Sequence, residues 1–246
     1  MKQTIFLIII TIFPNVAFSQ LNANDIQIDS KYLQSIVHEL SVNIGPRNFD
    51  QARGLEAAAL FIRQELERQG HDVQRQQYAI GETDEVENII VSFGPKEGKR
   101  LIVGAHYDSY GLQAGADDNA SGVAGLLAIA RFLKQHESTL KKRIDLVAYT
   151  LEEPPFFRTT EMGSYVHAKH LADNKVDVIG MISLEMLGYY RKEKNSQEYP
   201  LGLMKWFYPI FVWIGVLVDF NSNQNGALPP KKAKNSLRYH RDSIGF

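Results

Sequence analysis

Cysteine is absent from this 246-residue chain. That excludes disulfides and a lipidated N-terminal cysteine, so outside the cytoplasm packing and bound metal must supply the stability. A surplus of either charge is missing too, since 27 Lys and Arg stand against 28 Asp and Glu. Without a global positive field there is no general attraction to nucleic acid or to an anionic membrane, and no nucleic-acid partner is expected. Nor is there an apolar run of about 20 residues, the length that spans a bilayer. The two nearest candidates are residues 5–13, closed by Pro14 and Asn15, and residues 207–218, interrupted by Pro209. Internal repeats, low-complexity tracts and flexible linkers are lacking between Asp25 and Tyr190, which argues for one domain.

What is present begins with Lys2, the apolar stretch 5–13 and then Ala17-Phe18-Ser19 before Gln20, the pattern of a secretory signal peptide. Residues 1–19 are therefore expected to be cleaved, leaving a secreted or periplasmic domain of residues 20–246 with no membrane attachment. Only Lys2 is lost among the charges, so the mature net charge is −2. The 227 residues that remain are enough for a sizeable core.

Hydrophobic periodicity predicts helices over 30–41 and 50–69, the second capped by Asp50 and stopped by Gly70. Strands follow over 72–80, 86–93 and 100–105, the last delivering His106 at its end. A helical face of Val123, Leu126, Leu127, Ala130 and Leu133 comes next, with Asp118 near its N-terminal end, where a carboxylate suits the helix dipole. Residues 144–150 read as a strand leading to Glu152-Glu153, 163–172 as a helix, and 176–184 as a strand ending at Glu185. Strand and helix alternate, the signature of an α/β domain whose ligands collect beyond the carboxyl ends of the central strands. From about residue 207 the pattern becomes atypical: 207–218 reads as a buried strand with its approach, and a polar, basic tail follows.

The side chains at those strand ends suit a two-metal hydrolytic centre. An imidazole at His106 can bind a metal through one ring nitrogen while the other donates to a carboxylate such as Asp108. Asp118 has two oxygens and can bridge metals about 3.5 to 4 Å apart. Glu152 and Glu153, adjacent at a strand end, point in different directions, so one can bind metal while the other moves a proton. Spacing alone leaves open which does which. Each also has an ordinary structural reading, Asp118 as a helix cap and the glutamates as charged strand termini. His167 and His170 have helical ligand spacing, but exposed or capping roles are expected for them. His38, His71 and His136 lack carboxylate-rich neighbours in the sequence and are assigned no function.

Four segments carry a resemblance. Gly104-Ala-His-Tyr-Asp-Ser109 resembles the first ligand motif of the co-catalytic di-zinc aminopeptidases, relatives of bacterial leucyl aminopeptidase, glutaminyl cyclase and glutamate carboxypeptidase. Gly115-Ala-Asp-Asp-Asn-Ala-Ser-Gly122 resembles their bridging-aspartate motif, Leu151-Glu-Glu153 their base-and-ligand pair, and Ile182-Ser-Leu-Glu-Met-Leu-Gly-Tyr-Tyr190 the segment with an acidic ligand. The resemblance implies a three-layer sandwich, a central, mostly parallel mixed sheet flanked by helices, and a zinc-dependent exopeptidase acting on N-terminal residues of peptides. It makes His106, Asp118 and Glu185 ligands of one zinc and Asp118 the bridge to a second zinc held by Glu153. Asp108 becomes the partner of His106, and Glu152 the general base acting on a metal-bridging water. A glutaminyl-peptide cyclase is the alternative enzyme the same resemblance allows.

Three features depart from the family pattern. The connection Pro154-Pro155-Phe156-Phe157-Arg158 is longer than the compact turn of many relatives, which is expected to reshape the substrate pocket. Glu185 stands where many members have Asp. The family's last ligand, a His in a C-terminal Tyr-His segment, has only a faint echo in Tyr239-His240, making His240 a weak candidate. The sequence thus reads as a C-terminally truncated or frame-shifted member, with the expectation that C-terminal strands are lacking, that Trp206 and Trp213 are poorly covered, and that the chain is inactive if its second zinc site is incomplete.

Overall fold

The computed structural model describes residues 29–81 and 84–189, and the backbone of 215–219. The expected signal peptide, Trp206, Trp213, the basic tail and His240 lie outside the described residues.

Helix α1 (Ser30–His38) starts where the Asp29 carboxylate accepts the amides of Lys31 and Tyr32, each at 3.1 Å, and continues as a wider turn over Glu39–Ile44. A 3₁₀ turn (Phe49–Gln51) leads into α2 (Ala52–Arg68), which buries Leu55, Ala58, Ala59, Ile62 and Leu66 at helical spacing. The cap here is not Asp50: Asn48 Oδ1 accepts the Gln51 amide at 3.1 Å. Asn48 also donates to the carbonyls of Ser109 and Gly111, a long-range demand that local periodicity does not reveal.

Strands β1 (Gln74–Ile80), β2 (Asp84–Phe93), β3 (Arg100–His106), β4 (Arg143–Tyr149), β5 (Val178–Glu185) and β6 (Gly215–Asp219) form one six-stranded sheet in the order β1-β2-β4-β3-β5-β6. Its centre, β4-β3-β5, is parallel, and the outer pairings β1-β2, β2-β4 and β5-β6 are antiparallel. The sheet is therefore mixed, with its parallel character confined to the middle. The run expected as a buried strand over 207–218 contributes β6, paired against β5.

Helix α3 (Gly122–His136) links β3 to β4 on one face, and α4 (Gly163–Asp173) links β4 to β5 on the other. Alternate residues of the central strands serve the two faces. Val103, Ala105, Leu146 and Ala148 join the large core under α1, α2 and α3, whereas Ile102, Val147 and Tyr149 pack with Leu171 of α4. This is a three-layer α/β sandwich, and burial of both strand faces explains why these strands read as continuous apolar runs. The chain leaves β3 to one side for β4 and returns to the other side for β5. That topology opens a crevice at the carboxyl end of β3.

Candidate metal centre

His106 ends β3 inside that crevice and is 7 % exposed. Its Nδ1 faces Asp108, 3.2 Å from the carbonyl oxygen and 3.3 Å from Oδ1. Both are acceptors, so Nδ1 carries the proton and the lone pair of Nε2 points the other way. There Nε2 meets two more acceptors, Asp118 Oδ1 at 3.1 Å and Glu185 Oε2 at 3.3 Å. His106, Asp118 and Glu185 thus converge three lone-pair donors within 4.8 Å of one another, a set that can hold a divalent cation. Burial opposes a charge on the imidazole, yet Asp108, Asp118 and Glu185 together hold its pKa well above the ordinary value. Contact with His106 in turn draws the Asp118 carboxyl down. The cluster calls for positive charge at its centre, which a metal ion supplies as well as a proton does. Asp108 Oδ1 is buried and has no hydrogen-bond partner other than this imidazole among the described residues.

Each of the three residues is held by its own segment, and the segments are tied to one another. Asp118 does not cap α3; its backbone is non-helical (φ −104°, ψ 95°), which leaves its carboxylate to His106. The cap is Asn119, whose Oδ1 accepts the amide of Gly122 at 3.1 Å and whose Nδ2 donates to the Leu184 carbonyl at 2.9 Å. A side chain on Gly122 would collide with Asn119 and the Leu184 carbonyl, so glycine is what lets the Asp118 loop dock on the end of β5. Asp117 accepts the amides of Gly188 and Tyr189, fixing the segment beyond Glu185, and Ser183 Oγ donates to Glu185 Oε1 at 2.9 Å. Leu151 and Met186 turn the chain with φ of 55° and 46° right where β4 and β5 deliver their glutamates.

The two neighbouring glutamates have different surroundings. Glu152 accepts the Ser164 amide at 2.6 Å and the Ser164 hydroxyl at 2.8 Å. Burial pushes its pKa up to about 7, against the lowering effect of Ser164, a value suited to a group that takes and returns a proton near neutrality. Glu153 is half-buried; its amide donates to Asp108 Oδ2 at 2.9 Å, and burial followed by the field of Asp118 raises its pKa. Its carboxylate is not part of the three-residue cluster. Asn88, fully buried, accepts the Thr150 amide and donates to the Gly163 carbonyl, pinning the start of α4 to the end of β4 and so Ser164 to Glu152.

Motif reading missed Arg47. The side chain is 0 % exposed and donates to the carbonyls of Leu40, Gly45, Tyr107, Ala114 and Gly115. Burial lowers its pKa to about 10, while Asp108 and Asp118 work to keep it charged. It is a buried cation clamping the loop between His106 and Asp118. The available signal was the turn-like Gly45-Pro46 before an arginine ahead of a helix, too weak to single out. His167 also departs from expectation: it is buried, neither exposed nor capping, with Nδ1 3.0 Å from the Tyr149 hydroxyl. His170 is exposed.

Residues 88–206 match the family described as peptidase family M28. Over a 266-residue alignment covering all of this chain and 80 % of the relative, the chain is 38 % identical to the uncharacterized protein YfbL of Escherichia coli (strain K12). The chain belongs to peptidase family M28. It is 34 % identical over 116 residues to the aminopeptidase YwaD of Bacillus subtilis (strain 168), covering 46 % of this chain and 24 % of that enzyme. Among solved structures, a leucine aminopeptidase precursor from Bacteroides thetaiotaomicron aligns with a TM-score of 0.54 and 25 % identity, over 66 % of this chain and 64 % of that one. The chain thus spans under two thirds of both. Glutaminyl cyclases share the fold at lower identity. Among the described residues, no helix of this M28 member is long and apolar enough to cross a membrane.

Proposed function

We propose that this M28 chain is a secreted or periplasmic zinc-dependent aminopeptidase, built as one domain after loss of residues 1–19. The observation that carries the reading is the convergence of His106 Nε2, Asp118 Oδ1 and Glu185 Oε2, with the partly buried Glu152 on the neighbouring strand end. In this reading His106, Asp118 and Glu185 hold one zinc, and Asp118 and Glu153 contribute to a second. Bound zinc would polarise the scissile carbonyl and make water more acidic.

The protein's own groups do the rest. Asp108 keeps the proton on Nδ1 of His106, which fixes the tautomer and turns Nε2 toward the ligand set. Ser164 holds the Glu152 carboxylate from one side through two hydrogen bonds. The remaining lone pairs of Glu152 accept the proton of the attacking water, and Glu152 then returns it to the leaving amine, so that a neutral amine departs. The surplus of carboxylates gives the N-terminal ammonium of a peptide a partner, which favours cleavage at the amino end.

The sequence relationship to an aminopeptidase favours hydrolysis over cyclisation, because the cyclases share the fold at under 25 % identity. Mass spectrometry of short peptides, some beginning with glutamine, incubated with the zinc-loaded protein decides between them. Hydrolysis shortens the peptide by its first residue. Loss of ammonia from the glutamine peptides without shortening would replace this reading by the cyclase.

A further inference from the structure

Glu185 reaches the cluster on an arm one methylene longer than that of Asp118, with one more bond free to rotate. A glutamate with that freedom can offer a cation one carboxylate oxygen or both. The structure restricts the choice. Ser183 Oγ donates to Glu185 Oε1 at 2.9 Å, while Oε2 lies 3.3 Å from His106 Nε2. The two oxygens of one carboxylate thus have separate tasks, one tied to the strand and one turned to the imidazole.

Strand geometry makes the tie possible. Residues two apart on β5 share a face of the sheet, so the Ser183 and Glu185 side chains stand side by side. The backbone that carries them is held from both edges, Ser183 being paired with Gly104 of β3 and with Leu217 of β6. With Oε1 engaged, the cluster presents one atom from each of three residues, His106 Nε2, Asp118 Oδ1 and Glu185 Oε2. Three single-atom donors leave one place in a four-coordinate shell, which suits zinc, whereas manganese and magnesium favour six oxygen ligands. A second oxygen from Glu185 would move the donor set toward those ions.

We propose that Ser183 is a positioning residue of the metal centre: by holding Glu185 Oε1 it commits that carboxylate to ligation through Oε2 alone, and so favours zinc over ions that take six oxygen ligands. This inference rests on the zinc reading above. The test compares Ser183→Thr with Ser183→Val, two side chains of the same branched shape, both suited to a strand, one with the hydroxyl and one without. Dissociation constants for zinc and for manganese(II), each added alone to metal-free protein, are measured beside the wild type by competition with a chromogenic chelator. In Ser183→Val zinc binding is expected to weaken about tenfold or more, as when a hydrogen-bond partner of a metal ligand is removed. Manganese binding holds or tightens, so the ratio of the manganese to the zinc dissociation constant falls by about the same factor. Ser183→Thr keeps most of the wild-type ratio, and Ser183→Ala, which removes the hydroxyl without adding bulk, matches Ser183→Val. A lowered Tm of the metal-free Val and Ala variants with unchanged metal constants would show that Ser183 only stabilises β5, and overturns the inference. Equal zinc affinity in the Thr and Val variants, or equal weakening of zinc and manganese, overturns it as well, while leaving the zinc reading intact. Failure of the wild type to bind zinc overturns both.

Discussion

Arg47 shows how a single buried residue sets the geometry of a site it does not enter. Its guanidinium serves backbone carbonyls from the turn after α1, from Tyr107 and from the segment just before Asp118. Arg47→Met fills similar volume but strands those carbonyls away from water, each a cost comparable to a lost hydrogen bond. Urea unfolding should show a loss of about 3 kcal/mol or more; a change within about 0.5 kcal/mol would mean that water replaces the guanidinium and the clamp is dispensable. The same scale explains what a sequence can and cannot reveal. The convergence of His106, Asp118 and Glu185 was legible because these residues sit in short ordered motifs at the ends of β3 and β5 and before α3. Arg47 was not, because its partners are main-chain atoms, which leave no signature in side-chain identity. Asn48 and Asp50 make the point again, since both are good caps by type and only the long-range bonds to the loop after β3 select Asn48.

At the level of elements, strand and helix order followed from periodicity with shifts of up to three residues at the ends from α1 to β5, whereas the run 207–218 yields a strand only at 215–219. The central strands were legible because both of their faces are buried. Helix α4 was harder, because it buries only a narrow face through Gly163, His167 and Leu171. His167 on that face is held neutral: burial lowers its pKa to about 4, Asp145 opposing and His170 and Arg100 assisting, with the Tyr149 hydroxyl at Nδ1. The unfolded chain binds this proton near the ordinary histidine value and the folded chain does not. Stability from this group is therefore complete above the unfolded pKa and declines as pH falls toward the folded one. Between pH 7 and pH 5 the wild type should lose about 2 kcal/mol more than His167→Gln, measured by urea unfolding at both values. Equal losses in the two proteins would show that His167 is not buried as a neutral base.

For the whole molecule, the parallel centre of the sheet gathers groups from the ends of three strands that repel one another unless a cation joins them. Metal binding is then linked to folding, because the ligand set exists only in the folded chain. Zinc at about a hundredfold over its dissociation constant should add about 2.7 kcal/mol, which for a domain of this size raises Tm by roughly 5 to 10 °C, with chelator reversing the gain. A Tm indifferent to zinc and to chelator would argue against a metal centre in the crevice. The overall architecture was legible from the alternation of elements, whereas the mixed character of the sheet depended on pairings at its edges that alternation does not specify.

The most direct test of the central claim is turnover by the zinc-loaded protein of residues 20–246 on a panel of aminoacyl chromogenic amides, beside Glu152→Gln at matched zinc content. If Glu152 moves the proton at a centre held by His106, Asp118 and Glu185, the wild type releases chromophore and the variant, folded and metal-loaded, loses two to four orders of magnitude in kcat, on the order expected for a general base. Wild-type turnover that persists in Glu152→Gln would contradict the account, and so would the absence of turnover from a folded, zinc-loaded wild type across the panel.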